Sequence, residues 1–149
     1  MLWALSAVLM CAGGAIYVLW RPKTLLMFSW FTVLGLGEPV AHIRALAAPA
    51  ASSVPHWVYY SLPQALWLLS GCVAIHAVWR NWSSVNEQMW VVVALTIAAG
   101  GEIGQALHVV PGAYDSRDLV LILAVFITFE AVGFISNVHH LQEHTRGMQ

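Results

Sequence analysis

The feature that most constrains this chain is a series of apolar runs long enough to cross a lipid bilayer. A hydrocarbon core of about 30 Å needs about 20 consecutive apolar residues in a helix. Five stretches meet that length: Leu2–Trp20, Thr24–Leu46, His56–Trp79, Met89–Val110 and Asp118–Val138. Polar punctuation separates them. Arg21-Pro22-Lys23 follows the first run, and Ala47–Pro55, with two serines and two prolines, follows the second. Arg80–Gln88 and Pro111–Arg117 close the third and fourth, and 139–149 form a polar tail. Trp79, Trp82 and Trp90 around the third break have the distribution of an interfacial aromatic belt. The expected fold is therefore an all-α integral membrane bundle of five transmembrane helices, in a single domain over 1–149.

Composition supports this reading. The chain is 60% hydrophobic and only 9% charged, whereas a soluble domain carries roughly 25% charged residues. A net charge of −1 with no Lys/Arg run excludes a nucleic-acid footprint. Membrane lipids are the expected surroundings, and other membrane subunits are a possible partner class. Cys11 and Cys72 lie inside apolar runs without metal-type spacing and read as small core residues. No Lys or Arg precedes the first run, which argues against a cleaved signal peptide. With five straight spans, Arg21, Lys23, Arg80 and Arg146 fall on one side and Arg44 and Arg117 on the other. The positive-inside rule then puts the N-terminus outside and the C-terminus in the cytoplasm, in a multi-pass protein of the cell membrane.

Polar residues inside spans are costly and mark function or pairing. Glu38, Gln64 and Glu102 each lie about eight residues, roughly 12 Å, below the same expected outer interface. Nearer that surface come Gln105, Asp115, Arg117 and Asp118. Glu38 and His42 are four apart, and Glu102 and Gln105 three apart, so each pair shares a helix face. Gly35 and Gly37 beside Glu38, and Gly100, Gly101 and Gly104 around Glu102, suit close helix contacts. Pro39 and Pro63 remove backbone hydrogen bonds and open local kinks. These residues either satisfy one another or form an outward-facing pocket for an amphiphile, a lipid headgroup or an ion. Asp115 or Ser116 can also cap the fifth helix, with Asp118 in its first turn.

Two stretches carry a family resemblance. Leu62-Pro63-Gln64-Ala65-Leu66-Trp67, after Pro55-His56-Trp57-Val58, is similar to an L-P-x-x-L-W motif of small VanZ-like bacterial membrane proteins. Gly101-Glu102-Ile103-Gly104-Gln105, followed by Val110-Pro111-Gly112-Ala113-Tyr114-Asp115-Ser116-Arg117-Asp118-Leu119, resembles that family's G-E-x-x-Q and V-P-G-x-[FY]-D-x-x-D-L. The matches keep the family order from Pro55 to Leu119. Departures are Gln64 where the family often has an acid, Arg117 as the only candidate for an Arg after Pro-Gly, and Ile122 and Phe126 in place of Asn and Gly. The resemblance implies a polytopic architecture in the cell envelope and a site that includes Trp67 with the polar residues above. It implies no reaction.

Seven histidines raise an alternative, a metal- or haem-binding redox subunit. His42, His56 and His108, with Glu38 or Asp115, have ligand types suited to zinc or copper. At the inner side His76 pairs with His139 or His140 in a haem-like arrangement. There is no H-E-x-x-H, no E-x-x-H and no Ser/His/Asp set, so no enzyme class and no cofactor is indicated. Glu130 falls near the bilayer midplane, where an acid serves an ion path or bonds a neighbour such as Ser29, Ser70 or Thr96. A third reading is a structural subunit of a larger membrane complex.

Overall fold

A computed structural model describes residues 1–80, 84–110 and 114–146, with side chains through residue 133. All regular elements among these residues are helical. In order they are α1 (Leu2–Trp20), α2 (Leu26–Val33), α3 (Gly37–Ala47), a 3-10 turn (Ala48–Ser52), α4 (His56–Tyr60), α5 (Leu62–Trp79), α6 (Ser84–Ala106) and α7 (Ser116–Arg146). Three of the described helices, α1, α5 and α6, are long and apolar enough to cross a membrane. The expected Pro111–Ala113 part of the turn, Trp82 and the last three residues of the tail lie outside the described residues.

Local chemistry sets the helix boundaries. Arg21 precedes Pro22 and takes an extended conformation, φ −68° and ψ 154°, which stops α1. Gly35, at φ +72°, ends α2. The Leu36 N–H donates to Phe31 O at 2.8 Å and the Gly35 N–H to Thr32 O at 3.1 Å, the paired bonds of a Schellman cap. Pro39 then falls in the first turn of α3, where its missing N–H costs nothing. The same cap closes α6: Val109 N–H donates to Gly104 O at 2.9 Å and His108 N–H to Gln105 O at 3.1 Å. Here the left-handed position is filled by His108, at φ +57°. Pro63 sits near the start of α5, and the helical path breaks at Ser61 between α4 and α5.

The stretch 24–46 is the main correction to the sequence reading. It is not one span but two short helices, α2 and α3, rising about 12 Å and 16 Å. Hydropathy adds up over the stretch without registering the turn at Gly35. The chain also comes back to where it left α1. Arg44 donates through Nη1 to Val18 O, and through Nη2 to Arg21 O at 2.7 Å. Trp20 Nε1 donates to Ala47 O at 3.3 Å. Arg21 and Arg44 thus lie at one end of the bundle, so the expected split that placed them on opposite sides does not hold.

α5 is the central helix and packs against α1, α6 and α7. α1 runs antiparallel to it, with Ser6 against Ser70 near one end and Arg21 against Tyr60 at the other. α6 is also antiparallel to α5, since Gln64 meets Glu102 and His76 meets Glu87. α7 runs parallel to α5, with Asp118 beside Ser61 and Phe129 beside His76. Leu68, Cys72, Val91 and Ile122 form the buried core where these three helices meet. The outer surface is apolar, with Trp3, Val8, Val92, Ile97, Val120 and Ile127 all exposed. That inverted distribution suits a lipid exterior, which demands no polar coat.

Two contacts lock α1 onto α5. Ser6 Oγ donates to Ser70 O at 3.0 Å and Ser70 Oγ to Ser6 O at 2.8 Å, a reciprocal pair buried between the helices. One turn pair further on, Gly13 faces Trp67. A Cβ at Gly13 would fall 2.7 Å from Trp67 Nε1 and 3.1 Å from Pro63 O. Gly100 and Gly101, expected as helix contacts, face open space, and Gly104 makes room only for Val110 of its own cap.

Candidate functional site

At the end of the bundle marked by Arg21, three helix ends gather polar side chains. The start of α5 supplies Ser61 and Gln64, the last turns of α6 supply Glu102, and the start of α7 supplies Asp115 and Asp118. Asp115 takes the capping position: its Oδ1 accepts from the Arg117 N–H at 2.9 Å, and its carbonyl accepts from the Asp118 N–H at 3.0 Å. That cap turns Asp118 inward, where it is 8% exposed. Glu102 is 2% exposed and Ser61 1%.

Gln64 Nε2 donates to Glu102 Oε1 at 3.3 Å. The Asp115 backbone N–H approaches the same carboxylate, and Asp118 lies within its electrostatic reach. Glu102 Oε2, Asp118 Oδ1 and Ser61 Oγ are all buried and have no hydrogen-bond partner of good geometry. Arg21 acts on Asp118 from the end of α1, and part of its guanidinium is engaged elsewhere. Its Nη2 donates to Tyr60 O at 3.1 Å, and the group lies 4.8 Å over the Tyr60 ring. Arg21 thus acts on Asp118 alone among the three carboxylates, and its buried Nε has no hydrogen-bond partner. Buried polar groups are normally paired, so the two carboxylate oxygens, with the Ser61 hydroxyl beside Asp118, form a preset oxygen-rich group. An all-oxygen donor set of this type suits hard cations.

The expected site residues divide into three groups. Gln64, Glu102, Asp115 and Asp118 come together as described. Gln105, half-buried, lies one turn beyond Glu102, and Arg117 is exposed beside the cap. Trp67 and Glu38 lie elsewhere. Trp67 belongs to the α1–α5 contact: its Nε1 donates to Met10 O at 3.3 Å, and its ring lies 5.3 Å from that of Tyr17. Glu38 lines a separate concavity of about 580 Å³ between α2 and α3, with Lys23, Thr32 and Arg44. Its expected common depth with Gln64 and Glu102 assumed a straight second span. Ser61, Tyr60 and Arg21 are the members that sequence reading missed; Ser61, two residues before Pro63, marks the helix break at which they meet.

The histidines do not converge. His42 lies exposed on α3, His56 stacks against Tyr59 and Tyr60, and His108 occupies the α6 cap. Among the described residues no three His, Cys, Asp or Glu side chains are placed to hold a metal. At the opposite end of the bundle His76 Nδ1 and Glu87 Oε1 lie 2.6 Å apart. Both line a concavity of about 370 Å³ with Arg80 and Glu130. The side chains of His139 and His140, the expected partners of His76, lie outside the described residues. Ser29, Ser70 and Thr96 do not serve Glu130, since their hydroxyls donate to Leu26 O, Ser6 O and Val92 O.

No family model matches the chain, and neither a curated protein nor a solved structure matches it.

Proposed function

We propose that this chain is a multi-pass membrane protein that binds a small cationic ligand at the Glu102–Asp118 cluster. The ligand is a hard metal cation or the cationic headgroup of an amphiphile. One observation carries the reading: Glu102 and Asp118 lie buried within electrostatic reach of each other, each with an oxygen that no well-aligned hydrogen bond satisfies. Leaving such groups unmet costs about 1–3 kcal/mol each, and more when charged. A bound cation removes that cost, and Ser61 Oγ and the Gln64 carbonyl complete an oxygen shell around it. The VanZ-like resemblance points the same way, because its G-E-x-x-Q and D-x-x-D-L elements contribute Glu102, Asp115 and Asp118.

α1, α5, α6 and α7 are the membrane-crossing helices in this reading. Arg21, Lys23, Arg44 and Arg117 then lie at the end that holds the cluster, with Arg80 and Arg146 at the other. By the positive-inside rule the cluster faces the cytoplasm. The N-terminus stays outside, as expected from sequence, while the pocket and the end of α7 exchange sides.

The test is thermal unfolding of the detergent-purified protein, followed while Na⁺, Mg²⁺, Ca²⁺ or a quaternary-ammonium amphiphile is added. A saturable rise in Tm that disappears in Glu102→Gln and Asp118→Asn supports the proposal. If none of these cations raises Tm above an ionic-strength control, the reading is wrong.

A further inference from the structure

We infer that α2 and α3 form a re-entrant hairpin embedded in the acyl chains of a single leaflet. The polypeptide then crosses the bilayer four times, and residues 1 and 146 share the face opposite the Glu102 cluster. This rests on the membrane-crossing reading of α1, α5, α6 and α7 above, but not on any ligand.

Length is the first argument. Rises of about 12 Å and 16 Å fall well short of a hydrocarbon core of about 30 Å, yet match half of it. The ends supply the second. Trp20 bonds Ala47 O and Arg44 bonds Arg21 O, so the segment leaves and re-enters at one end of the bundle.

The surface and the backbone indicate what surrounds the hairpin. Leu26, Trp30, Val33, Leu34, Ile43 and Leu46 are all more than half exposed, and they continue the apolar exterior of the long helices. A turn placed in hydrocarbon must satisfy its own polar groups, and this one satisfies most of its N–H groups internally. Leu34 N–H donates to Trp30 O at 2.9 Å, Val40 N–H to Leu36 O at 3.1 Å, and the Schellman pair takes those of Gly35 and Leu36. The uncapped first-turn residues Gly37 and Glu38 line the concavity between the helices rather than the lipid-facing surface. The two hydroxyls of α2 are also satisfied within the helix, Ser29 by Leu26 O and Thr32 by Phe28 O. The charged residues Lys23, Glu38 and Arg44 line the concavity between the helices. A concavity between helices is where charge is tolerated at membrane depth, and this one is lined from Glu38 to Lys23 and Arg44 at the basic end.

The experiment uses single cysteines in the full chain carrying Cys11→Ala and Cys72→Ala, in sealed membrane vesicles of one orientation. The positions are Lys23→Cys, Ser52→Cys, Leu34→Cys and Ser84→Cys. A membrane-impermeant maleimide is expected to modify Lys23→Cys and Ser52→Cys from one face and Ser84→Cys from the other. Leu34→Cys should be unreactive from both. A bimane attached to Leu34→Cys before reconstitution should be quenched best by lipids carrying nitroxides in mid-chain. Modification of Lys23→Cys and Ser52→Cys from opposite faces would make 24–46 a crossing and overturn the inference. Ready aqueous reaction at Leu34→Cys overturns it too, because the hairpin then lies outside the hydrocarbon. Protection without lipid quenching does the same by showing a protein cover such as a second copy. If Lys23→Cys and Ser84→Cys react from the same face, the crossing of α5 fails, and with it the reading on which the hairpin rests. Lys23, Leu34, Ser52 and Ser84 are exposed and tolerate the change; Cys72 is buried in the core, so the Cys-free parent is first checked for the unfolding transition of the unaltered protein. Epitope tags at residue 1 and after 146, both expected on the Ser84 face, give an independent readout.

Discussion

Arg44 donates through Nη2 to the carbonyl oxygen of Arg21 at 2.7 Å, so two cations twenty-three residues apart in sequence sit at the same helix end. Carbonyls at the C-terminus of α1 have no partner within the helix, and the Arg44 fork fills two of them, Val18 O and Arg21 O. The bond is structural, and it also determines which face of the bundle the loop occupies.

Arg44→Ala should therefore loosen the hairpin from α1. Hydrogen bonds from charged donors contribute about 1.5–3 kcal/mol, and denaturant unfolding in detergent should show a loss of that order. Arg44→Lys should recover little of it, since a single ammonium cannot span two carbonyls as the fork does.

Gly13→Ala should destabilise the α1–α5 contact by about 1–3 kcal/mol, the usual cost of overpacking. The added Cβ meets Trp67 Nε1 at 2.7 Å and the rigid Pro63 carbonyl at 3.1 Å. Gly14→Ala and Gly101→Ala, which face open space, should leave the Tm unchanged or slightly raised. If Gly13→Ala matched them, the close approach at Trp67 would be refuted.

Gln64→Ala should cost more than Glu102→Gln. The first removes the one side-chain donor to a buried carboxylate, leaving it only the approach of the Asp115 N–H, at about 1–3 kcal/mol; the second keeps an acceptor for Gln64 Nε2. A double-mutant cycle between the two positions should give a coupling above about 0.5 kcal/mol. Additive effects would show that the 3.3 Å bond contributes nothing.

The two Schellman caps predict opposite outcomes. Gly35→Ala should cost about 1–2 kcal/mol, because an L side chain at φ +72° is strained. His108→Gly should stabilise the end of α6 by up to about 1 kcal/mol, since it relieves the same strain at φ +57°. Calorimetry of the purified variants checks both.

Much of the helical layout was legible in the sequence. α1 matches its apolar run residue for residue, and α7 begins two residues before its expected start. α6, however, begins at Ser84 inside the expected Arg80–Gln88 loop, and α7 continues to Arg146 through most of the expected polar tail, because hydropathy marks the apolar part of a helix and not its ends. The grouping of Gln64 with Glu102 was also legible, because both lie on near-straight helices whose depth can be counted from the ends. Glu38 failed the same count. Its depth depends on the direction of the chain, and Gly35 reverses that direction through a single left-handed residue. Gly-x-Gly-x-Pro over 35–39 held the signal, but read as packing glycines and a kink it left the helix intact. Trp67 was attached to the site by motif alone, while its contact with Gly13 is a long-range fact that no local pattern contains. Ser61 and Arg21 were missed for a related reason: each matters only through a neighbour brought to it by the fold.

The reciprocal bonds between Ser6 and Ser70 impose an order on biogenesis. At about 5–20 residues per second, the ribosome completes α5 several seconds after α1. If α1 crosses the membrane as proposed, it lies in the bilayer for that interval without the partner that its serine and glycine are shaped to meet. Its 19 residues and mean hydropathy of 2.0 make it long and apolar enough to cross on its own, and the Ser6 hydroxyl can bond its own helix backbone in the meantime. Insertion and docking of the first helix are thus separate events, and a slow step in synthesis between Arg21 and Ser61 would lengthen the life of an unpaired α1 without altering the folded protein.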